Sequence, residues 1–286
     1  MRAFLPDYRL RQAATLDEAV GLLADQPGTW RPLAGGTDVM VQLAAGALAH
    51  RQYVSLWGIR ELRRIDVDAD IVTLGALTTF SDILRHDVLR SEFPLLGRAA
   101  ADTGGIANQN RGTIGGNIAN ASPAADTPPA LLVYDAQLEL TSVRGRRAVS
   151  YERFHTGYKQ MDLASGELIT AVRLPRRRGW HQHYRKVGAR RAQAISKVCL
   201  AAAALVESGR IADIRLALGS VAPTVVRAFG AEAILRGAAV GPEALERAGA
   251  ALASELTPID DVRSTAAYRR QVAVNMLGEF LEALPR

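Results

Sequence analysis

Two glycine-rich segments carry the residue types that could do chemistry. Pro32–Val39 reads PLAGGTDV, and Arg111–Asp126 reads RGTIGGNIANASPAAD. Each places residues without bulk where a backbone must approach something closely, then adds a hydroxyl, an amide or a carboxylate. Glycine lacks a Cβ and reaches left-handed conformations at little cost, so successive N–H groups can turn inward around an anion. Two such segments in one chain predict a diphosphate held between two lobes, and so a dinucleotide.

The first segment (Pro32, Leu33, Ala34, Gly35, Gly36, Thr37, Asp38, Val39) leads from a predicted strand into a predicted helix that Thr37 or Asp38 could cap. A helix start favours phosphate, because free N–H groups and the helix dipole both point at the anion. A Gly-Gly pair before a helix also serves as an ordinary tight turn. The second segment offers Thr113, Ile114, Gly115, Gly116 and Asn117, with Asn120, Ser122 and Asp126 continuing the polar spacing. An ionised Asp126 only accepts hydrogen bonds, which suits ribose or ribityl hydroxyls. Its alternative role is to cap a helix starting near Pro128. The chain contains no G-x-G-x-x-G and no G-x-x-x-x-G-K-[ST], so the expected dinucleotide fold lies outside those classes. It also lacks a G-x-S-x-G elbow, an H-E-x-x-H helix and a paired Cys/His set. His155, His181 and His183 stand alone and read as structural. No residue is assigned a catalytic or metal-ligating role, and redox chemistry carried by a cofactor is the economical reading.

The elements that must position these segments follow from length and pattern. At 286 residues and 48% hydrophobic, the chain suits two domains or three small ones. Its one cysteine, Cys199, lies in an apolar run and reads as a small buried hydrophobe. One thiol cannot form an internal disulfide or an iron–sulfur cluster. No run of 18 apolar residues occurs, and MRAFLPDYRL has no leader-like apolar core, so the expectation is a cytoplasmic protein without a membrane span. A net charge of +6 would permit nucleic-acid binding, but the arginines are scattered or in short turn-like clusters. The basic balance fits an anionic cofactor or an acidic partner instead.

Thr15-Leu16-Asp17-Glu18 predicts a capped helix, and Tyr53–Leu56 a short strand. A second unit should hold strands at Ile71–Leu77, Gln137–Thr141 and Glu167–Leu174. Its helices should lie at Thr79–His86, up to Thr103, and over Pro123–Tyr134. Arg176-Arg177-Arg178-Gly179 is the linker candidate. Beyond it come strands at His181–Val187, Lys197–Val206 and Ile211–Ser220, then helices at Pro242–Ser254 and Ser264–Leu284. Strands first and helices last predict an α+β layer with helices on one face of an antiparallel sheet. The predicted units are 1–56, 57–176 and 180–286.

The sequence resembles the FAD-binding medium subunits of bacterial molybdenum hydroxylases, the xanthine dehydrogenase and aerobic carbon monoxide dehydrogenase type. LAGGTDVMVQL (Leu33–Leu43), NRGTIGGNIANASPAAD (Asn110–Asp126), GELITAVRLP (Gly166–Pro175) and YRKVGARRAQAISKV (Tyr184–Val198) carry the resemblance, which spans essentially the whole chain. FHTG (Phe154–Gly157) and VAPT (Val221–Thr224), taken with LAGGTDV, look most like xanthine dehydrogenase FAD subunits.

The resemblance implies a PCMH-type (vanillyl-oxidase-like) FAD fold in two α/β subdomains, followed by a small α+β domain. It implies that Pro32–Val39 and Thr113–Asn117 hold the pyrophosphate, that Asn120 and Asp126 bind ribityl or nearby polar groups, that Ile169 packs near the flavin, and that Lys186 lies close to its polar edge. Val187–Lys197, with Arg190 and Arg191, matches a loop near the flavin that affects NAD access in animal members. Those members carry an aromatic residue where Thr103 stands here, so Tyr184 is the substitute expected to stack, if any residue does. The first loop lacks the histidine that attaches FAD covalently in some related oxidases, which implies non-covalent binding. The implied role is an oxidoreductase subunit. It would take electrons from a [2Fe–2S] subunit and pass them through FAD to NAD⁺ or another acceptor, beside a molybdopterin-binding large subunit in a dimer of heterotrimers. A stand-alone flavoprotein with its own substrate, or a nucleotide-binding scaffold, are the competing expectations.

Overall fold

The computed structural model describes residues 7–285. Residues 1–6, which carry part of the leader reading, and Arg286 lie outside the described residues.

The chain opens with β1 (Arg9–Gln12), α1 (Leu16–Asp25), β2 (Arg31–Leu33), α2 (Thr37–Ala44) and β3 (Gln52–Ser55). The three strands pair in parallel in the order β1-β3-β2. Helix α1 starts where Thr15 Oγ1 accepts the Glu18 N–H (3.1 Å), and it buries Leu16, Ala19, Val20, Leu22 and Leu23. The returning Glu18 carboxylate takes the N–H of Ala14 (2.8 Å), one residue before the cap. Val54 and Leu56 complete this core, together with Ile59, Leu62, Leu77 and Leu168 from the next unit. Strand β2 (RPL) is the strand expected before the first glycine loop, while β1 (RLRQ) went unpredicted, because so short and arginine-rich a segment shows no alternation.

Next come β4 (Ile65–Val67), β5 (Ile71–Gly75), α3 (Phe80–Arg85), α4 (Asp87–Glu92), α5 (Pro94–Asp102), α6 (Ile106–Gln109), α7 (Ile114–Ala119) and α8 (Pro128–Val133). The hairpin β6 (Gln137–Ser142) and β7 (Gly145–Ser150), the short pair β8 (His155–Gly157) and β9 (Gln160–Met161), and β10 (Leu168–Pro175) follow. An antiparallel sheet forms in the order β4-β5-β10-β6-β7. Strand β5 stops two residues short of the predicted Leu77. At Gly75 the backbone crosses Leu62 so closely that a Cβ would stand 2.3 Å from its carbonyl oxygen. The helix predicted over Pro123–Tyr134 shrinks to α8, because Ser122 turns the chain (Ala125 N–H to Ser122 O, 3.1 Å) and Pro128 starts the helix.

The last unit holds β11 (His181–Gly188), β12 (Ser196–Glu207), β13 (Arg210–Gly219), β14 (Val226–Arg227), α9 (Phe229–Leu235), α10 (Pro242–Glu255) and α11 (Ala266–Glu282). Its sheet is antiparallel in strand order. Strand β12 is apolar on both faces for a structural reason. Val198, Leu200, Ala202 and Ala204 meet α10 and α11, while Cys199, Ala201 and Ala203 join the core of the preceding unit.

The first two residues of the basic linker are both clipped. Arg176 Nε donates to Glu92 Oε2 (2.7 Å), which helps hold that carboxyl below the usual carboxylate range. Asp135 collects Arg177 (2.7 Å) from the linker, Arg227 (2.7 Å) from the last unit, and Arg215. The third unit is thereby locked onto the second, and that fixes what it can place beside the glycine loops.

Candidate functional site

A cavity of about 750 Å³ opens where the three units meet. All eight residues of Pro32–Val39 line it, as do Thr113, Gly115, Gly116, Asn117, Asn120, Asp126 and Ile169. Ile114 does not, because its side chain is fully buried in the second unit's core. Lys186 reaches the cavity only through Asp126.

The first loop supplies amides. Gly36 caps α2 at φ 79°, a conformation that glycine alone adopts without strain, and no side chain caps the helix. The expected cap from Thr37 or Asp38 is absent because both lie within the first turn. Asp38 turns instead to the amides of Gln42 (2.5 Å) and Asn120 (3.2 Å). The N–H groups of Gly35 through Val39 have no acceptor among the described residues. Five free donors at the start of an eight-residue helix make a receptor for an anion. Gly35 is also the point where the two loops touch, since a Cβ there would lie 1.7 Å from Arg111 O.

The second loop uses its amides internally. Ile114 N–H donates to Thr78 O (2.9 Å), Gly115 N–H to Ala76 O (2.9 Å) and Asn117 N–H to Thr113 O (2.9 Å). Gly116 N–H takes the Thr113 hydroxyl oxygen (3.1 Å). Read alike in the sequence, the two loops differ in that respect, because the second is stitched to the end of β5. It presents side chains instead. Asn117 Oδ1 accepts from Thr127 Oγ1 (2.7 Å), which orients its amide, and the Gly116 α-carbon faces Ala34 of the first loop.

The third unit closes one end. Lys186 on β11 donates to Asp126 Oδ2 (2.7 Å) and to Asp102 O (2.9 Å). Burial pushes the Asp126 carboxyl up to about 6 despite that ammonium beside it. The other carboxylate oxygen, Oδ1, is buried and has no partner among the described residues. Tyr184, the expected ring partner, is 6% exposed, bonds Asp126 O through its hydroxyl (3.3 Å) and does not line the cavity. Phe80 is the one aromatic residue in the described lining. Arg190 folds back onto Ala192 O (3.1 Å) and Gln193 O (2.6 Å), so Gln193, Ala194 and Ile195 face the cavity in its place. Gln193 holds φ 50°, strained for a residue with a Cβ.

Sequence reasoning missed Leu163, Glu167 and Leu168, which also line the cavity. Arg147 grips Glu167 through two bonds of 2.8 Å and holds its carboxyl below the usual range. A contact across twenty positions leaves no local pattern to read. The same is true of Trp57, whose ring carries Arg63 (3.9 Å) and Arg111 (3.7 Å), beside a second cavity of about 710 Å³ behind the first loop.

Comparison with known proteins gives the arrangement a family. Residues 6–177 match the family described as the FAD binding domain in molybdopterin dehydrogenase, and residues 182–284 match the CO dehydrogenase flavoprotein C-terminal domain. The xanthine dehydrogenase FAD-binding subunit of Escherichia coli O157:H7 is 34% identical, over 93% of this chain and 91% of its own. The glyceraldehyde dehydrogenase medium chain of Sulfolobus acidocaldarius is 33% identical, over 93% and 94%. A solved carbon monoxide dehydrogenase from Hydrogenophaga pseudoflava superimposes with a TM-score of 0.94 at 30% identity, over 98% of each chain. The chain belongs to the FAD-binding subunits of the molybdenum hydroxylase family. It has their PCMH-type fold with a C-terminal α+β domain, it is an oxidoreductase, and its cofactor is FAD.

Proposed function

From that membership we propose that this chain is the outlet through which electrons leave a molybdenum hydroxylase. FAD, when bound, would take electrons from a reduced [2Fe–2S] centre and return them as a hydride to NAD⁺ or as electrons to another acceptor. The chain's own residues bind and orient. Free amides from Gly35 to Val39 receive the diphosphate, and the buried Asp126 Oδ1 accepts a hydroxyl of the ribityl chain. Lys186 fixes the Asp126 carboxylate, while Gln193–Ile195 limit solvent and acceptor access. Ile169 adds an apolar wall.

The observation that carries this reading is the union of both glycine loops and the third unit around one cavity. Among the described residues, that cavity's lining includes no lysine and no arginine, and five of its residues, Gly35 to Val39, have amides without an acceptor. The residues fit the cofactor: those five amides at the start of α2 have no acceptor, and one buried carboxylate oxygen awaits a donor.

With one cysteine, buried at Cys199, the chain cannot supply a [2Fe–2S] centre, so that centre and the molybdopterin belong to partner subunits in this reading. The proposed assembly is a dimer of heterotrimers.

The test is the visible spectrum of the purified chain before and after acid precipitation. It should show oxidised-flavin bands that pass into the supernatant. Anaerobic addition of NAD⁺ to the dithionite-reduced chain should then restore the bands. A colourless chain that takes up no FAD would overturn the reading, and bands that return only with another acceptor would remove NAD⁺ from it.

A further inference from the structure

The cavity poses an electrostatic problem. A dinucleotide diphosphate brings two negative charges to a site whose described lining contains no Lys or Arg and three carboxylates, Asp38, Asp126 and Glu167. Asp126 is paired with Lys186, and Glu167 with Arg147. Asp38, at the mouth of the amide cradle, has only the amides of Gln42 and Asn120. Free N–H groups hold an anion through partial charges, but they leave its full charge and that of Asp38 uncompensated.

One lysine bonds a residue that lines this mouth. The β8–β9 hairpin turns at Lys159, whose ammonium donates to Asn120 O (2.6 Å) and to Asn120 Oδ1 (2.8 Å). Asn120 passes the contact on, since its Nδ2 donates to Asp38 Oδ1 (3.2 Å). The hairpin is moored beside the site a second time, where His155 Nε2 meets Ile118 O (2.9 Å), and burial holds that imidazole below its ordinary range. Lys159 itself stands at φ 57°, where glycine would be at ease. A lysine kept in a strained backbone position, at a hairpin tip beside two loops whose one basic side chain, Arg111, is stacked on Trp57 (3.7 Å) and lines the second cavity instead, calls for a reason in the side chain.

We propose that Lys159 is the counter-charge of the cofactor diphosphate, delivered by the β8–β9 hairpin and positioned through Asn120. This rests on the FAD reading above. A purely structural role is the alternative: Asn120 caps the C-terminal end of α7, where any cation is favourable.

The two roles separate in three variants of the full-length chain, stripped of flavin and titrated with FAD by fluorescence at low and high salt. The wild-type Kd should rise with salt. Lys159→Gln should weaken FAD about five- to tenfold at low salt and flatten the salt dependence, and Lys159→Arg should restore both. Lys159→Gly should lose affinity as Lys159→Gln does, yet melt at or above the wild-type temperature because the backbone strain is gone. If the wild type binds FAD and Lys159→Gln binds it equally well at both salts, the inference falls alone. A melting point lowered equally in the Gln and Gly variants with unchanged affinity would mark Lys159 as a cap only. A wild type that binds no FAD would take the functional reading down with it.

Discussion

At Gly35–Val39 five amides have no acceptor among the described residues, while at Ile114–Asn117 every amide already has one within the chain. Both segments read as Gly-Gly flanked by threonine and a small or amide residue, so composition does not separate them. Their attachments do. The first follows a three-residue edge strand and leads into α2, a helix with no buried residue, so nothing competes for its N–H groups. The second runs past Ala76 and Thr78 just beyond β5, whose carbonyls take the amides first. Glycine allows chain-to-chain approach in both loops, at Gly35 against Arg111 and at Gly115 against Ala76, and the neighbouring backbone decides which loop keeps its amides free.

The sharpest way to break this contrast is Gly35→Ala. Its Cβ would meet Arg111 O at 1.7 Å and force the loops apart. FAD binding should fall by at least a hundredfold, with a stability loss of about 3 kcal/mol or more, read from flavin content and urea unfolding. Normal flavin in this variant would show that the loops need not touch. Gly115→Ala should instead cost about 2–3 kcal/mol, because the new methyl would stand 2.6 Å from Ala76 Cβ, while the folded fraction keeps FAD affinity within a few-fold. Equal losses of affinity in the two variants would erase the distinction.

Asp126 tests whether the second loop acts through side chains. Burial lifts its carboxyl in the folded chain to about 6, above the ordinary 3.8 of an aspartate, so between roughly pH 4 and 6 the folded chain keeps a proton that the unfolded chain releases. This group's contribution to stability therefore falls as pH rises through that window, by about 2–3 kcal/mol at most. Glu92, Glu167 and Asp261, all lowered, act in the opposite direction. The effect must thus be read as the difference between wild type and Asp126→Asn across pH 4–7, and identical profiles would refute it. The smallest expected change is at Gly36, where φ 79° is the only obstacle. Gly36→Ala should cost about 1 kcal/mol and Gly36→Asn less, measured by thermal melting.

Much of the fold was legible. Alternation and capping located α1, β3, α3 and the three long strands of the last unit within a residue or two, because the caps, turns and apolar runs that bound them are local in sequence. β1 and the β8–β9 pair were not legible: β1 pairs with a strand some forty residues away, and β8 and β9 hold only three and two residues. At the site, the loop residues could be read because glycine spacing is local. The roles of Tyr184, Arg147 and Lys159 could not, because each depends on a contact with a distant segment. Asp126 illustrates the boundary: its residue type suggested a hydroxyl acceptor, but its burial and its bond to Lys186 exist only in three dimensions.

Strand β12 has a consequence for how the molecule comes apart. It is a party wall, with Val198 and Leu200 on the side of the C-terminal helices and Cys199 and Ala201 on the side of α8. A chain severed in the Arg176–Gly179 segment would leave each half with one bare side of that wall. Neither half could then melt, or be inherited, independently of the other. Heating should produce one calorimetric transition rather than two, and a gene split at this linker should yield two fragments that fold only in each other's company.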